Sequence, residues 1–189
     1  MSVALSTPAM IINDALKRIG RKIRVGSMWE GSEPAKMALD IYAQTRDDLL
    51  RDSDWGFSEA TVVASASGAT VPAQWSYSYA YPSDCVRVRA LYAATYLANQ
   101  NNPLPVNWRV SNAVVSGSNV QVVLTNMANA SLVYSKRVTD PKAWDAGFTE
   151  ALCAALGERL APVLSSPDLA KLEAEEDKDQ TAQAAAISG

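Results

Sequence analysis

The hydrophobic period changes twice along the chain, and this change limits the possible folds more than any other feature. Near both ends the apolar residues recur every three to four positions, which predicts amphipathic helices. From Trp55 to about Val138 the period becomes two, which predicts strands. The pattern therefore predicts an α+β fold, with the terminal helices forming an α-helical bundle and an antiparallel β-sheet as an insertion between them.

The N-terminal part contains two predicted helices. Thr7 is a hydroxyl cap followed by a proline that fits the first helical turn, and Gly20 ends the apolar stripe. A second helix is predicted from Ser32 to about Asp52. Five basic residues surround the C-terminal end of the first helix, where cations complement the helix dipole: Lys17, Arg18, Arg21, Lys22 and Arg24.

Six strands are predicted in the middle of the chain. They are Phe57 to Ala64, Gln74 to Tyr81, Cys85 to Tyr92, Asn107 to Val115, Val120 to Thr125 and Ser131 to Val138. Ser116 to Asn119 is typical of a hairpin turn, and Asn126 to Asn129 is predicted to form another. The last three strands are therefore expected to form an antiparallel meander.

The C-terminal part begins with Asp140-Pro141, a second cap-then-proline pattern, which predicts a third helix that ends near Pro162 to Leu164. A fourth helix is predicted from Ser166, but its apolar stripe fades after Leu172. From Asp168 onward the chain contains six acidic residues and two lysines, so this segment has a net charge of −4, whereas the whole chain has a net charge of −3. Such a segment is expected to order best against a partner.

These patterns give a three-part organisation. Residues 1–54 and 139–167 are predicted to form a helical core, residues 55–138 a β insertion, and residues 168–189 an acidic C-terminal helix or tail. No apolar run is long enough to span a bilayer, and the N-terminus lacks the pattern of a signal peptide. The chain is therefore expected to be soluble and to have no membrane partner.

The composition excludes several classes of enzyme. The chain contains no histidine, so catalytic triads, Cys-His nucleophiles and histidine-containing metal sites are excluded. Its two cysteines form no CxxC motif, and its glycines form no nucleotide-binding motif, so no cofactor or metal is predicted. Carboxylate-only metal sites and hydrolysis by a pair of carboxylates are the remaining enzymatic options. The candidate pairs for hydrolysis are Glu30 with Glu33 and Glu150 with Glu158.

Five segments share their order and spacing with a known family. They are Ala15 to Gly20 followed by Ile23, Tyr42 to Arg51 followed by Trp55-Gly56-Phe57, Trp75 to Arg87 with its Pro-x-Asp-Cys turn, Tyr134 with Val138 to Pro141, and Phe148 to Leu152. Together they resemble the head-to-tail adaptor of short-tailed phages, also called tail tubular protein A. The resemblance covers residues from about 8 to 182.

The resemblance implies a structural virion protein and not an enzyme. Family members form a homo-oligomeric ring of about twelve copies, which docks below the portal protein and carries the tail nozzle or tail tube. DNA passes through the ring transiently and without sequence specificity, and no catalytic residue set defines the family. The resemblance also implies assembly in the host cytoplasm and a final location in the neck or tail of the virion.

Candidate interface residues follow from the aromatic and apolar patterns. Trp75, Tyr77, Tyr79 and Tyr81 would share one face of a strand, where they pack within the subunit or contact a partner. Trp144 is either core or part of a subunit contact, and Leu169 and Leu172 are candidates for binding the portal. The basic cluster is interpreted as a solvated face or as inter-subunit ion pairs, because the net charge is negative.

Two alternative functions remain open on the sequence. One is a carboxylate-based peptidoglycan hydrolase associated with the virion. The other is a neck protein of a long-tailed phage, which would keep the helical core but bind a different tail partner.

Overall fold

A computed structural model describes residues 7–21, 24–27, 33–93 and 106–164. The chain divides into two compact units. The helical unit comprises Met1–Leu49 and Asp140–Gly189, and the β unit comprises Leu50–Thr139. The β unit was predicted to lie between boundaries at 54/55 and 138/139, and in the structure its boundaries are at 49/50 and 139/140. The predicted fourth helix and the acidic segment 168–189 lie outside the described residues.

The first helix, α1, spans Pro8–Arg18. The Thr7 hydroxyl accepts a hydrogen bond from the Met10 amide at 3.3 Å, and Gly20 adopts a positive φ of 78° just after the helix. The predicted start and stop of this helix are therefore confirmed. The buried face comprises Ile11, Ile12, Ala15 and Leu16.

Helix α2 spans Glu33–Asp52 and helix α3 spans Ala146–Leu164. The prediction that Asp140-Pro141 starts the third helix is wrong. Asp140 caps a short 3-10 turn, Pro141–Ala143, and α3 begins later, where the Asp145 carboxylate accepts a hydrogen bond from the Phe148 amide at 2.6 Å. Both acidic residues are good N-cap residues, so the chain contains two caps in series.

Contacts between the helices fix the core of the helical unit. Helices α1 and α3 pack against each other, and Gly157 of α3 lies where a Cβ atom would be 3.3 Å from Ile19 Cγ2 and 3.4 Å from the Ala15 carbonyl oxygen. Arg159 of α3 donates hydrogen bonds to Thr45 at 2.9 Å and to Asp48 at 2.8 Å, both on α2. Their arrangement as a bundle stays a prediction.

The described part of the β unit contains six strands, preceded by a 3-10 turn at Gly56–Ser58. They are β1 (Glu59–Val63), β2 (Tyr77–Ala80), β3 (Cys85–Ala93), β4 (Trp108–Val115), β5 (Ser118–Thr125) and β6 (Ala130–Lys136). The predicted existence of each strand is confirmed, and the mixed α+β class with it. The predicted strand from Gln74 is shorter than expected, because the backbone turns at residues 73–74 and Pro82 follows closely.

The strands form two antiparallel sheets, with the orders β1-β6-β3 and β2-β5-β4. Strands β4 and β5 form the predicted hairpin, whose turn residues Ser116 and Gly117 have φ values of 50° and 81°. The predicted meander of the last three strands is wrong. The segment from Asn126 to Asn129 carries the chain from one sheet to the other, so β6 pairs with β1 and β3 and not with β5.

The two sheets share one core. It is formed by Tyr79, Cys85, Val88, Leu91, Val123, Ala130, Leu132 and Tyr134. Backbone hydrogen bonds also join the sheets at both sides. On one side the Ala80 amide donates to Ser65 at 2.8 Å, and on the other the Val106 amide donates to Leu91 at 3.0 Å. The β unit is thus a small sandwich with its layers linked at each flank.

We predict that Gly157→Val lowers the free energy of unfolding by about 2–3 kcal/mol, because the new side chain would force α1 and α3 apart. Ala154→Val is the matched control, since Ala154 lies on the exposed side of the same helix and should cost only about 0.5 kcal/mol. Urea unfolding followed by circular dichroism measures both. Equal losses in the two variants would contradict close packing at Gly157.

Candidate interaction surfaces

The aromatic segment that the sequence marked as an interface candidate is not one continuous strand face. Tyr77 and Tyr79 lie on β2 with their rings stacked at 6.2 Å, whereas Trp75 and Tyr81 lie outside the strand. Tyr77 is 39% exposed, but Tyr79 is buried and its hydroxyl donates to the Met127 carbonyl at 2.8 Å. Of these four, Tyr77 is the one that presents an exposed ring.

The turn after this segment is held by its own polar groups. The Tyr134 hydroxyl donates to the Asp84 carboxylate at 3.1 Å, and the Arg137 amide donates to the Asp84 carbonyl at 2.7 Å. Tyr81 is half-buried beside the Cys85 thiol, and burial raises the pKa of Tyr81. The Pro-x-Asp-Cys turn therefore ties β2, β3 and the end of β6 together.

The remaining predicted interface residues lie in the C-terminal part of the chain. Trp144 is buried and packs edge-on against Phe148, with ring centroids 5.0 Å apart. In the structure this tryptophan therefore packs within the helical unit. Leu169 and Leu172 lie outside the described residues.

Arg89 is the main functional group that sequence reasoning missed. Its side chain is only 8% exposed, and its guanidinium is surrounded by acceptors. It donates to Ser135 Oγ at 2.9 Å, Glu59 Oε2 at 3.0 Å, the Trp55 carbonyl at 2.8 Å and Ser58 Oγ at 3.0 Å. A charged residue within a predicted strand is the only signal in the sequence, and it does not distinguish this arginine from the neighbouring Arg87.

Two of the five basic residues at the end of α1, Arg18 and Arg21, have partners within the helical unit. Arg18 donates to both carboxylate oxygens of Glu150, at 2.6 and 2.7 Å, and to Asp14 at 2.8 Å. Arg21 donates to the Leu164 carbonyl at 2.6 Å, at the C-terminal end of α3. Lys17 and Arg24 are exposed, and Lys22 lies outside the described residues.

The carboxylate pairs proposed for hydrolysis have a different environment from that of a catalytic pair. The bidentate hydrogen bonds from Arg18 lower the pKa of Glu150, which makes it a poor general acid. Glu158 lies two helical turns further along α3, about 12 Å away along the helix axis. Glu30 and the side chain of Glu33 lie outside what the structure describes.

Exposed apolar side chains concentrate on the edges of the two sheets. Among the described residues, four of the five exposed large apolar side chains lie on edge strands: Val62 (41% exposed) and Val63 (54%) on β1, Val114 (63%) on β4 and Tyr77 on β2. The surrounding sequence contains no charged residue from 60 to 83 or from 110 to 135. These edges are therefore apolar and nearly neutral, which is typical of surfaces that contact another chain.

Other classes of site have no support in the described ranges. Residues 7–21, 24–27, 33–93 and 106–164 bring together no group of three or more metal-binding side chains. Within the same ranges, none of the helices combines the length and apolarity needed to cross a membrane.

A comparison with models of known protein families found no match, and a comparison with curated proteins found no similar sequence.

We predict that Arg89→Lys lowers the free energy of unfolding of the β unit by about 2–4 kcal/mol. A lysine amine cannot reach acceptors on both sides of the guanidinium, so buried acceptors would lose their donors. Arg109→Lys is the control, because Arg109 is exposed and its replacement should cost less than about 0.5 kcal/mol. Urea titrations measure both variants, and an Arg89→Lys protein as stable as the control would contradict this role.

We also predict that both cysteines resist alkylation in the folded protein. Burial raises the pKa of the Cys85 thiol to about 11 and that of Cys153 to about 12, from an ordinary value of 9.0. At pH 8 to 9 the thiolate fraction should therefore be at least about 50-fold lower than in the unfolded chain.

Iodoacetamide labelling followed by mass spectrometry, with and without urea, measures this difference. Because the folded protein holds both thiols protonated, their contribution to stability should be lost as the pH rises above 9.0 towards about 11 and 12. Rapid labelling of the folded protein would instead indicate a reactive thiol.

Proposed function

We propose that this chain is a structural subunit of a phage virion, a head-to-tail adaptor that forms a ring between the portal protein and the tail and lets DNA pass. The resemblance of five ordered segments to that family motivates the proposal. The observation that carries it structurally is the pair of apolar, nearly neutral edges on β1 and β4. Their most exposed residues are Val63 and Val114.

A ring subunit needs two different surfaces that fit each other, because a cyclic contact is repeated from one copy to the next. The edges of β1 and β4 belong to two different sheets and so meet this requirement. The internal pairing of Arg18 and Arg89 supports the same function, since a subunit in a closed ring must hold its shape. Neither group is arranged as a catalytic site.

The proposed division of roles follows the two units. The helical unit forms the ring wall, the β unit extends towards the tail nozzle or tail tube, and the acidic segment from Asp168 binds the portal. The negative charge of this segment, −4, disfavours contact with DNA and leaves protein as its partner. The weak apolar stripe of the segment indicates that it orders on binding.

The portal role is tested by deleting residues 173–189. We expect the truncated protein to fold normally but to lose portal binding in a pull-down, because the acidic segment would be absent. Replacing the five acidic residues Glu173, Glu175, Glu176, Asp177 and Asp179 by their amides is the matched variant, which tests the charge alone. Undiminished binding by the truncated protein would exclude the segment as the portal contact.

Ring formation is tested by light scattering of the full chain with and without portal protein. We expect the free chain to be mainly monomeric in dilute solution and to form a ring when portal is added. Spontaneous rings of another size would contradict assembly on a template. Loss of peptidoglycan turbidity that disappears in Glu150→Gln would favour the hydrolase alternative instead.

A further inference from the structure

The two sheets of the β unit have four outer strands: β1 and β3 in one sheet, and β2 and β4 in the other. On its outer side β2 forms backbone hydrogen bonds with Ser65 and Ser67, and β3 accepts one at Leu91 from the Val106 amide. In the described part of the chain, no strand pairs with the outer sides of β1 and β4. An outer strand exposes the N–H and C=O groups that point away from its sheet. The register of each strand determines which residues carry those groups.

On β1 the register follows from the hydrogen bond between the Ala64 amide and the Ala130 carbonyl, at 2.8 Å. Hydrogen-bonded pairs alternate with non-bonded pairs along an antiparallel ladder. Counting back from Ala64, the backbone groups that point away from β6 belong to Glu59, Thr61 and Val63. The Glu59 amide already donates to the Gly56 carbonyl, so the carbonyl is the open group of Glu59. The intervening Ala60 packs against the shared core, so the side chains of these three residues lie on the outer face.

On β4 the register follows from the two-residue turn at Ser116 and Gly117. In such a hairpin the flanking residues, Val115 and Ser118, form a hydrogen-bonded pair. The backbone groups that point away from β5 are then those of Trp108, Val110, Asn112 and Val114. Trp108 and Val110 pack against the core, so here the residues with open backbone groups face inward.

Neither edge carries the usual protection against pairing. Natural edge strands are blocked by several charges, by proline or by bulges. Strand β1 has one charged residue, Glu59, and β4 has one, Arg109, and neither strand contains proline. Both strands instead expose valine to solvent.

We infer that β1 of one copy pairs in parallel with β4 of the next copy, so that the two sheets become continuous across the subunit contact. In a parallel ladder, a residue whose N–H and C=O groups point towards the partner strand lies opposite a partner residue whose own groups point away from it. It bonds to the two neighbours of that partner residue. This places Glu59 opposite Arg109, Thr61 opposite Ser111, and Val63 opposite Ala113. All six side chains lie on the outer face of their sheets, so the faces match across the contact.

Charge selects the register of this pairing. Glu59 is the only charged residue of β1 and Arg109 the only one of β4, and the parallel register brings these opposite charges together. The Glu59 side chain is 55% exposed in its ion pair with Arg89, so its carboxylate is accessible to a second cation. An antiparallel pairing would instead set the outer face of β1 against the inner face of β4 and would separate the two charges.

The partner is a second copy because the two edges fit each other. Pairing between different edges is head-to-tail, and repeated copies then satisfy every open edge in a closed ring. The inference specifies one subunit contact of the proposed adaptor and rests on that proposed function only for the closure of the ring. A weak contact between two copies in solution is sufficient to test it.

Disulfide trapping between two single variants tests the register. Thr61→Cys and Ser111→Cys proteins are mixed at high concentration and oxidised, because these positions lie directly opposite each other in the inferred pairing. We expect a mixed disulfide dimer to exceed either self-linked dimer at least about tenfold. The buried Cys85 and Cys153 stay reduced in both proteins, and circular dichroism establishes that each variant is folded.

The matched control replaces Ser111→Cys with Val120→Cys. Val120 is an exposed valine of the same hairpin, but it lies on β5, one strand away from the open edge. The Thr61→Cys and Val120→Cys mixture should give only background product. A mixed dimer no more abundant than this background would overturn the inference, as would a predominance of Ser111→Cys self-linked dimers, which would indicate pairing of β4 with itself.

The outcomes separate this inference from the proposed function. If the mixed disulfide forms but the chain makes no ring with a portal, the edge pairing stands and the adaptor proposal fails. If a ring forms with portal but its subunits give no Thr61–Ser111 cross-link on oxidation, the adaptor proposal stands and the edge pairing fails. Adding Val63→Lys to the Thr61→Cys protein should abolish the Thr61–Ser111 cross-link, because Val63 lies on the pairing edge. Adding Val120→Lys to the Ser111→Cys protein should retain the cross-link.

Discussion

The buried guanidinium of Arg89 is the interaction on which the β unit depends. An inserted unit must bring its first and last residues close together, because the chain that enters it also leaves it for α3. Arg89 binds Trp55 and Ser58 at the beginning of the unit and Ser135 on its last strand. One side chain thus connects the two ends of the insertion. Burial of its positive charge is unfavourable unless hydrogen-bond acceptors surround the guanidinium, as they do here.

This arrangement places rigidity and exposure in different parts of the same unit. Glu59, the first residue of β1, is held by Arg89, while the residues from Thr61 to Val63 are exposed. Strand β4 likewise packs against the core with the half-buried Trp108 and Val110 and is exposed at Val114. Each edge strand is therefore packed at one end and exposed at the other, so it can present open backbone groups without losing its register in its own sheet.

The sequence predicted the elements of this fold well and their connections poorly. The period change and the Thr7 and Gly20 signals are local, and local geometry decides where such elements begin and end. Whether Asn126 to Asn129 returns to the same sheet or crosses to the other one depends on the shared core, which no local pattern encodes. The continuous burial of β6, from Ala130 to Ser135, is what a strand at the centre of its sheet requires, and it conflicts with the simple alternation of a meander.

The candidate site was harder to predict for the same reason. The aromatic run from Trp75 to Tyr81 attracts attention because its residues are large, yet the fold buries Tyr79 and leaves Tyr77 exposed. The edge residues Thr61 and Ser111 are chemically ordinary, and only the strand order and the hydrogen-bond register distinguish them. A buried arginine such as Arg89 also looks like any exposed one until its acceptors are in place.

A short parallel contact also fits the proposed assembly, in which the free chain is mainly monomeric until it meets a template. Strand β1 has five residues, and parallel ladders are slightly weaker per residue than antiparallel ones, so the backbone bonds gained barely offset the entropy of association. The exposed ion pair between Glu59 and Arg109 adds at most about 1 kcal/mol, which is enough to favour one register but not to drive assembly. A portal that holds several copies side by side would remove much of the association cost, and each new contact would then form between neighbours already in place. Weakness of the single contact is therefore what would make ring formation depend on the portal.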